Sequence, residues 1–334
     1  MNHRTSSRSR LWLVRLARLA VTAALFALVL RRIEVQQLLQ IASEIRPRYV
    51  VVLLVCSLGE RIFGAWRWYL LLRDHHSAIS FGPVLRLTFV SALVGVLLPG
   101  AVGTYAVRAY GIARMTSDLG ISVASLLADR LLVGLAMLLI LCVGLITTGD
   151  IFPPDVVRWT AFAAAGTTAV ILITVHPAVG ALLDRLLKHR WLQPLRRVAV
   201  AAYAFVAEFR RQPLRAAAFL IAALVLQLIR VAVVTAGLWA VGAHVSPVVV
   251  LVLMPVTVFA LLIPISFAGL GVREVTFVYL LGEIGVPAEP AFAAALLIYA
   301  SALLSTLPGA VFLVRGRLGA PKAGKPAAPQ HNHT

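Results

Sequence analysis

Residues 248–284 read VVVLVLMPVTVFALLIPISFAGLGVREVTFVYLLGEI. The stretch is apolar up to Ile263 and breaks at Pro264. It resumes through Gly269-Leu270-Gly271 and reaches the charged pair Arg273-Glu274 with no return to ordinary polar composition. A soluble core helix has no reason to carry so long an apolar run, and a simple membrane span has no reason to break in its middle. Residues 84–115 repeat the pattern: apolar to Leu98, broken at Pro99-Gly100, then Arg108 and Arg114.

Around these segments lie unbroken apolar runs at about 11–30, 49–72, 121–147, 157–175, 214–241 and 290–314, each long enough to cross a bilayer core. Of the 334 residues, 60% are hydrophobic and 13% charged, and mean hydropathy is +0.92. The expectation is an all-α polytopic integral membrane protein, with about six full spans and two Pro/Gly-broken, re-entrant helical hairpins. Residues 1–315 form one membrane domain, and the Gly/Pro/Lys-rich 316–334 read as a disordered tail. Arg4, Arg8, Arg10, Arg15 and Arg18 precede the first run, which ends at Arg31-Arg32 without a small-residue cleavage site, so it reads as a retained helix.

The net charge of +18 sits between hydrophobic segments, where it anchors against anionic headgroups, and no basic domain is set apart for nucleic acid. Cys56 and Cys142 lie in apolar stretches and read as small buried hydrophobes without a disulfide. The eight His show no ligand spacing, so neither a metal nor another cofactor is expected.

Loop charge sets the topology. Gly149–Asp155 and Gly282–Pro290 are acidic, whereas the linker 176–215 holds eight Lys and Arg and the tail holds Arg315, Arg317, Lys322 and Lys325. The positive-inside rule puts the linker and both termini in the cytoplasm. That assignment holds only if 84–115 and 248–284 each return to the side from which they entered. Residues 31–48, with Arg31, Arg32, Arg46 and Arg48 against Glu34 and Glu44, fit the outside poorly. The linker 176–213, with Leu182, Leu183, Leu186 and Leu187 on one face, reads as lying on the membrane surface.

The hairpin regions also match at an offset of 165: Pro99 with Pro264, Arg108 with Arg273, Gly120 with Gly285, Ile121 with Val286, Gly144 with Gly309. With hairpins entering from opposite sides, this is an inverted repeat of about 49–147 and 214–314, an architecture of alternating-access carriers.

A charge inside the bilayer must face protein or water. The candidates are Glu60, Arg61 and Arg67 in the second span, Arg108 in the first hairpin, Asp129-Arg130 in the next span, Arg230 beside Gln227, and Arg273-Glu274 in the second hairpin. The acids pair with part of this set, and the arginines left over point to an anion site. New helices beginning after the breaks at Pro99, Gly100 and Gly103, and at Pro264, Gly269 and Gly271, would turn N–H groups toward an anion. Arg108, Arg130 and Arg273 are expected to converge on one midplane cavity tuned by Asp129 and Glu274. Trp66-Arg67-Trp68-Tyr69 reads as an interfacial belt. No nucleophile–base order, nucleotide loop or paired-carboxylate site is present, so the expectation is a carrier and no enzyme.

At these residues the sequence resembles the flippase-like membrane domain of lysylphosphatidylglycerol synthases. The resemblance rests on Leu98-Pro99-Gly100-Ala101-Val102-Gly103 with Arg108, Ala128-Asp129-Arg130-Leu131, and Ile263-Pro264 with Gly269-Leu270-Gly271-Val272-Arg273-Glu274 and Gly285-Val286. It also takes in Trp66-Arg67-Trp68 and spans about 11–315. It implies a bacterial plasma-membrane protein that moves or binds an anionic, aminoacylated or polyprenyl-phosphate-linked lipid. Two positions depart from the family pattern: Thr104 replaces an acid, and Asp129 replaces Glu. The family's aminoacyl-transferase domain has no counterpart in this sequence, so synthesis of lysylphosphatidylglycerol is not expected. The rival readings are an ion-coupled carrier of a small organic anion and a non-transporting partner of a lipid-modifying enzyme. A homo-oligomer is compatible with all of them.

Overall fold

The computed structural model describes residues 20–28, 30, 31, 33–74, 79–97, 102–116, 118–148, 151–187, 192–262 and 269–315. Pro99, Gly100, Pro264, residues 11–19 of the expected first span and the tail 316–334 lie outside them.

Residues 20–28 are helical, and thirteen helices follow: α1 Val35–Ser43, α2 Pro47–Arg73, α3 Phe81–Leu97, α4 Val102–Thr116, α5 Leu119–Thr148, α6 Pro154–Val175, α7 Pro177–Leu186, α8 Gln193–Arg211, α9 Pro213–Ala240, α10 Pro247–Leu262, α11 Val272–Gly282, α12 Ala288–Leu304 and α13 Pro308–Val314. Prolines open many of them, at a first-turn position where the missing N–H would have had no partner. Among the described residues five segments, Pro47–Arg73, Leu119–Thr148, Pro154–Thr174, Pro213–Ala240 and Ala288–Val314, are long and apolar enough to cross a membrane. The protein is all-helical and multi-pass. In the last span a turn at Ser305–Leu307 separates α12 from α13, because Pro308 has no N–H to continue the helix.

Both broken segments are hairpins. In the first, a Cβ on Gly95 would strike Thr104, the Nε of Arg108 donates to the Ser91 Oγ at 3.0 Å, and a Cβ on Gly111 would strike Leu87. As one index falls by four the other rises by three or four, the signature of antiparallel helices. Tyr69 stacks on Phe81, and Leu72, Ile79, Val84 and Ile112 share one cluster, so this hairpin opens and closes at the C-terminal end of α2. In the second hairpin α10 packs on α11 and a Cβ on Gly269 would strike Leu261; α10 follows Ala240, whose carbonyl meets the Arg46 N–H, so this hairpin starts from the opposite end of the bundle, where α2 begins. That opposite end carries Asp155 and Glu283. The first carries the linker arginines. They are called the acidic and basic ends below.

The central contact is α2 against α9. The Arg46 N–H donates to the Ala240 carbonyl at 2.9 Å, Tyr49 meets Trp239, Glu60 pairs with Arg230 at 2.7 Å, and Asp74 pairs with Arg215. The two helices therefore run antiparallel along their whole length. They are mates under the 165-residue offset, so the axis relating the repeats lies in the membrane plane. Much of the packing within each repeat keeps the exchange: α2–α3 matches α9–α10, α3–α4 matches α10–α11, and α4–α5 matches α11–α12. Crosswise, α5 lies on α10 as α13 lies on α3. Gly144 of α5 abuts Leu251 and Val252, and its mate Gly309 abuts the Phe89 backbone, so each repeat's span clasps the other repeat's hairpin.

The correspondence carries further outward: α1 packs on α12 as α8, in the linker, packs on α5. α6 returns the chain from the acidic to the basic end, so the second repeat can begin opposite to the first.

Two side-chain readings change. Trp68 is buried at 1% exposure, with its Nε1 donating to the Ser125 Oγ at 3.2 Å, while Trp66 is 41% exposed, so only the latter suits an interfacial belt. Cys142 is exposed on the outer face of α5 beside Leu139, Val143 and Ile146, a lipid-facing stripe where a buried residue was expected.

Candidate functional site

α2 carries a polar seam on its inner face: Ser57, Glu60, Arg61, Gly64, Arg67 and Trp68 recur at three- and four-residue spacing, so they share one side of the helix. α5, α4 and α9 bring the partners. Arg67 is 1% exposed, and its Nη2 donates to the Asp129 Oδ1 at 2.5 Å, while Arg130 takes Oδ2 at 2.9 Å. One carboxylate thus orients two guanidiniums. The Nε and Nη1 of Arg67 are buried with no hydrogen-bond partner among the described residues. An unmade donor bond of a buried charged group costs about 1–3 kcal/mol or more, so these donors are poised for an acceptor.

Arg108 stands over the Trp68 ring at 5.2 Å, and Arg130 over the Tyr105 ring at 5.2 Å. Cation–π contact holds a guanidinium in place without neutralising it. Arg130 keeps 40% of its side-chain surface accessible.

A second tier lies deeper. Arg61 donates from Nε to the Ser305 Oγ at 2.5 Å and from Nη2 to the Ala302 carbonyl at 2.7 Å. Arg230 donates to Glu60 at 2.7 Å and to the Gln227 Oε1 at 3.0 Å. Ser57 and Ser301 meet at 3.1 Å. At a rise of about 1.5 Å per residue, Arg67 lies about 9 Å, and Arg61 about 18 Å, from the basic end of α2. The first tier is therefore headgroup-side, and the second is near mid-height. Arg108 lies within electrostatic reach of Arg130, Asp129 and Arg61, and Arg67 of Arg230, so the tiers form one network.

The structure brings together Glu60, Arg61, Arg67, Arg108, Asp129, Arg130 and Arg230. It puts Arg273 and Glu274 elsewhere: Arg273 stands over the Tyr299 ring at 5.0 Å, beside Glu274 in the first turn of α11. Glu274 is wholly buried and accepts from the Gly271 N–H at 2.6 Å, capping α11, and its other oxygen has no hydrogen-bond partner among the described residues. The cap fits the local chain, since Gly269 and Gly271 have φ of +77° and +85°, the left-handed region that lets the helix start abruptly. Gly103 lies in the first turn of α4. Two hairpins entering from opposite ends hold their arginines at opposite depths, which separates Arg273 from the cluster. At the mates of Asp129 and Arg130 the second repeat has the buried Ala294 and Ala295, so the charged seam belongs to one repeat. Trp68, Tyr105, Ser91, Ser301 and Ser305 were not legible as site residues. The i, i+3, i+4 recurrence along α2 is the signal that finds Trp68.

Among the described residues no group of His, Cys, Asp and Glu could hold a metal ion. Neither a curated protein nor a solved structure matches the chain. The family described as lysylphosphatidylglycerol synthase TM region matches residues 15–309, a stretch that takes in both hairpins and the whole two-tiered seam. A multi-pass helical bundle so matched over most of its length belongs to the lysylphosphatidylglycerol synthase TM-region family.

Proposed function

We propose that the protein is a lipid carrier of the flippase type, whose arginine seam takes an anionic lipid headgroup while the tails stay in the bilayer. The observation that carries this reading is Arg67, fully buried beside Asp129 with two unpartnered donor nitrogens. Burying a guanidinium whose fork is half used makes sense where a phosphate completes it in two bonds. Asp129 fixes Arg67 and Arg130, the rings of Trp68 and Tyr105 hold Arg108 and Arg130 respectively, and Ser305 with the Ala302 carbonyl holds Arg61. Apart from Asp129 and Glu60 these supports are uncharged, so the site is preorganised while its positive charge remains available. The deeper tier offers the headgroup its next contacts toward the midplane. The site lies at the basic end, which the positive-inside rule reads as the cytoplasmic side, with both termini there; the family likeness supports a bacterial plasma membrane as the location.

The test is a dithionite-quench assay on proteoliposomes carrying fluorescent lipid. Wild-type chain should expose inner-leaflet lipid faster than protein-free vesicles, and Arg67→Gln or Arg108→Gln should slow the rate per folded molecule at least about tenfold, as loss of one charge-assisted phosphate contact implies. A wild-type rate equal to that of empty vesicles for every lipid tried overturns the reading.

A further inference from the structure

The charge of the seam narrows what it can hold. Within the apolar segments the acids are Glu60, Asp129 and Glu274, and the last is spent on the α11 cap. The seam therefore sets Arg61, Arg67, Arg108, Arg130 and Arg230 against Glu60 and Asp129 alone. The imbalance is uneven. In the deeper tier Arg61 and Arg230 exceed Glu60 by one charge. In the tier nearer the basic end Arg67, Arg108 and Arg130 exceed Asp129 by two. Arg108 and Arg61 have no carboxylate within ion-pair distance among the described residues: Arg108 rests on Ser91 and the Trp68 face, and Arg61 on Ser305 and the Ala302 carbonyl.

We infer that the headgroup this seam accepts carries two or more negative charges, the chemistry of a lipid-linked diphosphate or phosphomonoester, in preference to a singly charged phosphodiester or an aminoacylated headgroup of net positive charge. The inference rests on the lipid-carrier reading above and deepens it. Between helices that exclude water, a guanidinium without a counter-charge is unfavourable, so occupancy is best when ligand charge matches the surplus. A phosphomonoester brings about −1.5 to −2 at neutral pH, and a diphosphate brings more. A phosphodiester brings one charge and leaves a guanidinium of the first tier unanswered. A lysyl ester adds cationic ammonium groups next to three arginines, which repel them. The geometry agrees: Arg67 has two free donors, and Arg108 and Arg130 stand on aromatic faces with N–H groups unspent, enough to grip several phosphate oxygens at once.

The experiment titrates purified full-length chain, in non-ionic detergent at fixed ionic strength, with farnesyl diphosphate, farnesyl phosphate, short-chain phosphatidylglycerol, short-chain lysylphosphatidylglycerol and inorganic pyrophosphate, following intrinsic tryptophan fluorescence. The expected order of affinity is diphosphate, monophosphate, phosphatidylglycerol, lysylphosphatidylglycerol, with about tenfold or more between the first and third, as close charge pairs at a desolvated site imply. In Arg108→Gln and Arg61→Gln, whose present partners are uncharged, that gap should narrow. The wild-type ranking decides the matter if either variant fails to fold. Phosphatidylglycerol or its lysyl ester binding as tightly as the diphosphate overturns this inference and leaves the lipid-carrier reading standing. Inorganic pyrophosphate binding as tightly as farnesyl diphosphate keeps the polyanion chemistry and overturns the lipid as its source. Binding of no probe overturns both.

Discussion

At the scale of single residues, the Arg67–Asp129 pair separates stability from function. Both groups are nearly inaccessible, at 1% and 3% exposure, so deleting one strands the other. Asp129→Ala should lower stability by about 3–5 kcal/mol, read as a fall in melting temperature in detergent, because it leaves buried guanidinium charge with no counter-ion. Replacing both partners, as Arg67→Met with Asp129→Leu, should recover most of that loss and still abolish lipid movement. Recovery of transport in the double variant would mean the pair is only a structural strut. Gly271 is the other sensitive residue. Its φ is +85°, and a Cβ there would come within 2.8 Å of the Leu25 Cβ. Gly271→Ala should cost about 1–2 kcal/mol from the backbone alone, checked by the same melting measurement.

At the scale of elements, each hairpin is clasped by a span of the other repeat. A Cβ on Gly309 would lie 2.5 Å from the Phe89 carbonyl oxygen, a backbone atom that cannot rotate away, whereas one on Gly144 would meet the Val252 methyl at 2.8 Å. Overpacking a close helix contact costs about 1–3 kcal/mol. Gly309→Ala should therefore destabilise the protein more than Gly144→Ala, and it should slow lipid movement per folded molecule if hairpin and span slide during transport. Equal rates for both variants and wild type would make the clasp static.

At the scale of the whole molecule, the in-plane axis accounts for the order of the chain, since α6 is the crossing that lets an inverted second repeat follow the first. A Cys introduced at Pro154 should react with a membrane-impermeant reagent from outside intact cells, and Cys introduced at 192–200 should not. The opposite pattern would reverse the orientation. The proposed carrier role also implies that purified chain supplied with phosphatidylglycerol and lysyl-tRNA forms no lysyl lipid; formation of product would make it an enzyme.

Much of this architecture is written in local sequence. Apolar run length dictates the spans, because an unpaired backbone cannot cross lipid except as helix, and the Pro/Gly breaks with loop charge dictate that two segments double back. The offset of 165 fixes which helices are mates. Which charges meet was not legible there. Arg108 and Arg273 are equivalent in sequence, but an inverted axis sends them to different depths, so Arg108 joins Arg67 and Arg130 while Arg273 faces Tyr299. The uncharged supports, Trp68, Tyr105, Ser91 and Ser305, come from four different helices or turns and are assembled only by packing. Composition told that arginines outnumber acids inside the membrane; only the tertiary fold, by spending Glu274 on a helix cap and gathering five arginines around two carboxylates, decided where the uncompensated charge would lie.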